Sequence, residues 1–248
     1  MSRFRWDEIP YPGEVFGPIG EGEDAGSWPL KFFIKNDKDE FCDLKGNKIA
    51  FEIETPKDTM SFATNELNQI KTILENLTDK QKEIASYWSS ENLILLCLNT
   101  VSTLLKNYKV PTMDSARILS IMGDAFNDAM ALTYYFKYKF KIPRPIQLEP
   151  NLKTYLKSSY DPSYPVGHAV IAGVFSTVLS YFFPDEIGQL NNTAEEAAMS
   201  KIYGGIHYPI DAKQGLRLGR QIGSIIVDSI KDDSNSLGNS INNIYRKS

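Results

Sequence analysis

Two imidazoles, one carboxylate and three cations stand at spacings that could build a site for a tetrahedral oxyanion. The chain has only two histidines, His168 and His207, and both fall between Ser163 and Asp211. His168 directly follows Gly167, and His207 follows the Gly204-Gly205 pair; glycine lets a backbone come close to a bound group. Asp211 comes four residues after His207, and Lys201 six residues before it. Upstream, Lys137 and Arg144-Pro145 complete the cationic set. Phosphate and vanadate are oxyanions such a set suits.

Each residue type has its own chemistry. Gly167 and His168 fall in the first turn of an expected helix, where free N–H groups and the positive dipole end favour an anion. Arg144 offers a planar fork for two oxygens, and Lys137 a point charge. His207, projecting from the loop after the glycines, comes within reach of Asp211, which can orient an imidazole by accepting its second N–H. One histidine held by a carboxylate beside another that is not makes an asymmetric pair. It suits one nucleophile or metal-oxyanion ligand and one general acid–base group. Taken singly, Asp211 reads as a helix cap and Lys137 as a snorkelling surface lysine.

Stepping outward, the chain has 248 residues and a formal charge of −4, with a pI near 5.4. That balance argues against a nucleic-acid partner, whose binding surface is basic. Cys42 and Cys97 match no metal spacing and read as two free buried thiols of a reducing compartment. No stretch has signal-peptide character, and the apolar runs 92–105 and 169–183 are too short to span a bilayer. A cytoplasmic protein without transmembrane segments is expected, with room left for a homo-oligomer.

Three regions are expected: an irregular N-terminal segment 1–57, a helical domain 58–231 and a polar, mobile C-terminal tail 232–248. Within the first, residues 31–35 and 48–54 read as strands of a small hairpin turning at Lys45-Gly46-Asn47. The segment as a whole reads as a lid or strap on the main domain. From residue 58 the pattern is helical. Thr78 to Gln81 spells a capping box, and Thr193 to Glu196 a second. A long helix opens at Pro111-Thr112, and its apolar stripe continues through Ala129 and Thr133 to Lys137. A lysine on a core-facing stripe needs an anionic partner. Pro143 and Pro145 end that helix, and Pro165 precedes the next. Asp211 is expected to cap the last.

The motifs resemble the superfamily of type 2 phosphatidic acid phosphatases and vanadium haloperoxidases, whose pattern is K-x6-RP, PSGH and SR-x5-H-x3-D. Here these read Lys137 to Arg144-Pro145, Pro165-Val166-Gly167-His168, and Ser200-Lys201 to His207 and Asp211. The resemblance runs from about Thr78 to Gly223. Its flanks (77–88, 127–131 and 201–207) are similar to the soluble haloperoxidase-like branch. It implies an all-α helical bundle in which Lys137, Arg144, Val166, Gly167 and Lys201 surround the oxyanion. It further implies that His207 is nucleophile or vanadate ligand, His168 the acid–base group and Asp211 the partner of His207. The implied activity is phosphoric-ester hydrolysis through phosphohistidine, needing no cofactor. The alternatives are vanadate-dependent oxidation of a halide by peroxide, or non-catalytic oxyanion binding. Two residues depart from the pattern. Val166 replaces a serine and loses a hydroxyl; Lys201 replaces an arginine and loses a bidentate fork.

Overall fold

The computed structural model describes residues 5–54 and 62–247, so the expected boundary between residues 57 and 58 lies outside the described residues. Among those described, the architecture is helical with one two-stranded antiparallel sheet. The helices are α1 (Leu67–Glu75), α2 (Asp79–Ser90), α3 (Leu93–Asn107), α4 (Thr112–Phe140), the single turn α5 (Pro145–Leu148), α6 (Gly167–Phe182), α7 (Ile187–Tyr203) and α8 (Pro209–Ile230).

Local chemistry sets their ends. The Thr78 hydroxyl accepts from the Gln81 N–H, and the Gln81 side chain accepts from the Thr78 N–H, so two orphan donors of α2 are satisfied reciprocally. Asn92 caps α3 by accepting from the Ile94 N–H. Helix α4 stops at Lys141, which takes a left-handed conformation with φ of 50°, and the prolines beyond it bar continuation. The expected box at Thr193 is not a helix start. A turn at Pro184–Glu186 feeds directly into α7 at Ile187, so Thr193 lies inside an established ladder. Asp211 likewise is not the cap residue itself; it sits in the first turn of α8 and reaches back to the Tyr208 N–H at 3.1 Å.

Helix α6 is the centre of the bundle, buried along most of its length and flanked by α4, α7 and α8. Its contact with α8 is backbone to backbone. A methyl group at Gly219 would stand 2.2 Å from the Val170 carbonyl oxygen, and one at Gly173 2.9 Å from that of Leu216. Only glycine permits this approach, which fixes the helix bearing His168 against the helix bearing Asp211.

The N-terminal segment lies over this bundle. Trp6 is buried, and Gln147 of α5 donates to the Trp6 and Ile9 carbonyls. The Glu21 N–H donates to the Tyr160 carbonyl. The hairpin pairs β1 (Phe33–Lys35) with β2 (Phe41–Asp43), not with residues 48–54 as expected. An earlier turn forms because the Asn36 side chain accepts from the Lys38 and Glu40 N–H groups; the expected turn at Lys45-Gly46-Asn47 forms as well and brings Lys48 beside Cys42 of β2. Residues 50–54 instead run along α8, held by Gln221 and Gln214. The C-terminal residues fold back: Tyr245 stacks on Phe183 and donates its N–H to the Phe182 carbonyl, in place of the free tail expected. Cys42 and Cys97 are buried free thiols.

Gly219→Ala should therefore destabilise the protein by about 1–3 kcal/mol through overpacking. Gly123→Ala, a helical position with nothing within 4 Å of the added methyl, should stabilise it by up to about 1 kcal/mol. Thermal melts of the two variants against the parent check both signs.

Candidate active site

The loop after α7 and the first turn of α8 set His207. Its Nδ1 lies 3.2 Å from Asp211 Oδ2, and its Nε2 lies 2.7 Å from Arg144 Nη1. A guanidinium can only donate, so Nε2 is the acceptor and the ring proton sits on Nδ1. The Ser163 hydroxyl donates to the same Asp211 oxygen at 2.5 Å and stands 3.2 Å from Nδ1. Burial and the charge of Arg144 hold the His207 pKa well below its usual value. The ring is thus neutral, with a lone pair on Nε2 facing the cations. Asp211 is fully buried, and its Oδ1 has no hydrogen-bond partner among the described residues. That desolvation raises its carboxyl to about 6.

Lys137 and Arg144, both almost fully buried, converge on Asp161. Lys137 Nζ lies 2.8 Å from Asp161 Oδ2, and Arg144 Nη2 lies 2.7 Å from Oδ1. The remaining Arg144 donors go to the Asp161 and Ile206 carbonyls, Ser159 Oγ and His207 Nε2. Lys137 also donates to the Pro162 and Ser163 carbonyls. The segment 159–163 therefore wraps both cations in oxygen. Asp161 is held ionised, well below the usual carboxylate range, by the two cations against the opposing effect of its own burial.

Lys201 differs. Its Nζ donates to the Trp88 carbonyl at 3.1 Å and to Ser89 Oγ at 2.5 Å, and among the described residues it pairs with no carboxylate. Burial brings both Lys201 and Lys137 down to about 8. His168, in the first turn of α6, has Nε2 3.2 Å from the same Trp88 carbonyl, so Nε2 carries its proton and Nδ1 is left to accept one. Burial and the Lys201 charge push it down to about 3. It too is neutral.

Lys137, Arg144, Asp161, His168, Lys201 and His207 line one cleft of about 650 Å³, together with Val166, Gly167, Met130, Leu93, Ile94 and Ile171, while Ser163 and Asp211 stand behind His207. Glu21, Glu91 and Lys157 stand at its exposed rim. Val166 caps α6 without any side-chain hydrogen bond and packs into the apolar cluster with Ala169, Ala212 and Tyr164. A methyl on Gly167 would meet only Thr133, at 3.6 Å; nothing within the protein itself requires a glycine there. The structure thus gathers Lys137, Arg144, Val166, Gly167, His168, Lys201 and His207 around one space, with Asp211 behind His207. Sequence reasoning missed Asp161, Ser163 and the Trp88–Ser89 acceptors. One signal was available: Asp161 is the only acidic residue between Glu149 and Asp185.

Residues 119–233, which contain all three motif segments, match the PAP2 superfamily. Over that stretch, a little under half of its length, the chain is similar to the superfamily. A vanadium-dependent bromoperoxidase from Corallina pilulifera is 30% identical over 92 residues, covering 26% of this chain and 15% of that protein. Among solved structures, a bacterial vanadium-dependent iodoperoxidase superposes with TM-score 0.66 at 19% identity, over 90% of this chain and 59% of its own. The apo form of a bacterial vanadium-dependent chloroperoxidase superposes with TM-score 0.71 at 12% identity, over 92% of this chain and 62% of its own. At such identities the likeness is one of fold. The chain spans about three fifths of the length of those two solved chains. Among its described residues no helix is long and apolar enough to cross a membrane.

Two expectations follow from the cleft. Phosphate affinity should fall as pH rises through about 8, because Lys137 and Lys201 lose their protons there. A bound anion favours the charged lysines, so binding above that pH should take up protons. Calorimetry in buffers of different ionisation enthalpy reads that uptake directly. Val166→Ser should tighten phosphate or vanadate binding by up to about tenfold, the worth of one added hydrogen bond. A titration against the parent checks it.

Proposed function

We propose that the chain is a phosphoric-ester hydrolase acting through a phosphohistidine on His207. The observation that carries this reading is the buried, neutral His207 ring. Its Nε2 lone pair faces Arg144 in a cationic cleft, while Nδ1–H is backed by Asp211. An imidazole in that state is a competent nucleophile once an entering anion draws Arg144 Nη1 away from Nε2, and the carboxylate stabilises the positive charge the ring gains as it attacks. Lys137, Arg144 and Lys201 stabilise the charge on the transferring phosphoryl oxygens.

In the first step the Nε2–P bond forms and the P–O bond to the alcohol breaks, with His168 handing a proton to the leaving oxygen. In the second, water attacks phosphorus and the N–P bond breaks. The water proton returns to His168 and His207 is restored. His168 is neutral in the free protein; a bound anion next to it raises its proton affinity and readies it for this role.

A second reading shares the site. Vanadate fits the same donors, since one imidazole lone pair and three cations suit any tetrahedral oxyanion, and the match to a bromoperoxidase favours testing it. Held by His207 and surrounded by Lys137, Arg144, Gly167 and Lys201, vanadate would supply halide oxidation by peroxide. A small phosphoric ester is the substrate in the first case, and a halide with peroxide in the second.

Purified protein should release aryl alcohol from aryl phosphate esters, and His207→Ala should lower the rate at least about a thousandfold, as expected for loss of a covalent nucleophile. His168→Ala should slow alkyl esters far more than aryl esters, because an aryl oxide leaves without a proton. No hydrolysis, but bromination after vanadate and peroxide are added, would favour the second reading. Inactivity in both assays would leave an oxyanion-binding protein.

A further inference from the structure

The carboxylate of Asp161 bridges the two innermost cations of the cleft. One oxygen faces Lys137 Nζ at 2.8 Å and the other Arg144 Nη2 at 2.7 Å. Every N–H of Arg144 is engaged: two by Asp161, the others by Ile206, Ser159 and His207. All three donors of Lys137 are engaged as well. Only Lys201, bonded to two neutral oxygens, keeps a donor to offer. Asp161 is buried and lines the cleft, so its charge is felt there with little screening. An incoming anion meets three cations and, beside two of them, a fixed negative charge. Asp211 adds a second carboxylate behind His207. Three cations against two carboxylates leave one net positive charge to be matched.

We propose that Asp161 is the charge-selecting residue of this cleft, suiting it to singly charged tetrahedral oxyanions, a phosphodiester or a monoprotonated phosphomonoester, over dianions. The inference rests on the reading of the cleft as an oxyanion site. It goes beyond that reading because the three motif segments alone would give a site of three cations favouring the dianion. The chemistry of the histidines agrees with it. Neutral His168 has no proton on the nitrogen it leaves free, and a monoprotonated ester brings one that His168 can relay to the leaving oxygen. A diester needs the same proton from solvent.

The test uses two tetrahedral oxyanions of closely similar size and fixed charge at about pH 7.5, below the point at which Lys137 and Lys201 lose their protons: perrhenate, a monoanion, and tungstate, a dianion. Their dissociation constants are measured by calorimetry on the whole protein and on Asp161→Asn, with melting curves to show that the variant is folded. The parent should bind perrhenate at least as tightly as tungstate. In Asp161→Asn the ratio of affinities should move toward tungstate by about tenfold or more, since removing one nearby charge acts twice as strongly on a dianion. Comparing the ratio across the two proteins cancels the different hydration of the anions. An unchanged ratio in a folded variant overturns the proposal while leaving the oxyanion site standing. So does a parent that prefers tungstate by tenfold, a result that needs no variant. If neither protein binds perrhenate, tungstate or phosphate at millimolar concentration, the oxyanion site itself is misread and the charge selection falls with it.

Discussion

Burying several charges beside one another is the constraint on which the rest of this structure depends. Lys137 and Arg144 are almost wholly removed from water, and an unpaired buried cation costs several kcal/mol. Asp161 and the carbonyls of 161–163 replace the lost water with oxygen ligands. That arrangement forces the irregular chain between α5 and α6 to lie across the end of α4. The same chain then delivers Ser163 to Asp211 and Val166 to the head of α6. The electrostatic solution and the path of the backbone are therefore one problem. Removing the partner charge would unsettle both.

A second consequence is the state of the imidazoles. Cations and burial act in the same direction on His207 and His168, pushing both toward the neutral form. For a nucleophile this is useful, because the lone pair is present at neutral pH. For an acid it is a handicap, relieved only when an anion enters. The asymmetry between the rings lies in their partners: Asp211 stands behind one, a carbonyl behind the other. Asp211 is itself buried, with one oxygen unbonded among the described residues and a carboxyl raised to about 6. Below that pH it gains a proton and ceases to stabilise a charged His207, which under the proposed hydrolysis would set the acid limit.

Much of this was legible in the sequence because it follows from spacing along single elements. His207 and Asp211 meet across one turn at a helix start, and Lys137 follows Ala129 and Thr133 along one helix face. The capping residues at Thr78 spell their own bonds. Contacts between elements were not legible. Asp161 sits in a stretch without periodicity, and its partners come from α4 and from just before α5. The Trp88 carbonyl, which receives both Lys201 and His168, carries no side-chain signature at all. The turn at Lys45-Gly46-Asn47 was legible and forms, but the strand Phe41–Asp43 that precedes it was not. Asn36 closes an earlier turn through bonds that its residue type permits but does not announce.

The central claim is that His207 carries the phosphoryl group between the two halves of turnover. It is tested most directly by mixing the protein with an aryl phosphate ester, quenching in base within one turnover, and locating phosphate by peptide mass spectrometry. The account predicts phosphate on Nε2 of His207 in the parent and none in His207→Ala. Turnover with no phosphorylated intermediate, or with phosphate on any other residue, would contradict it.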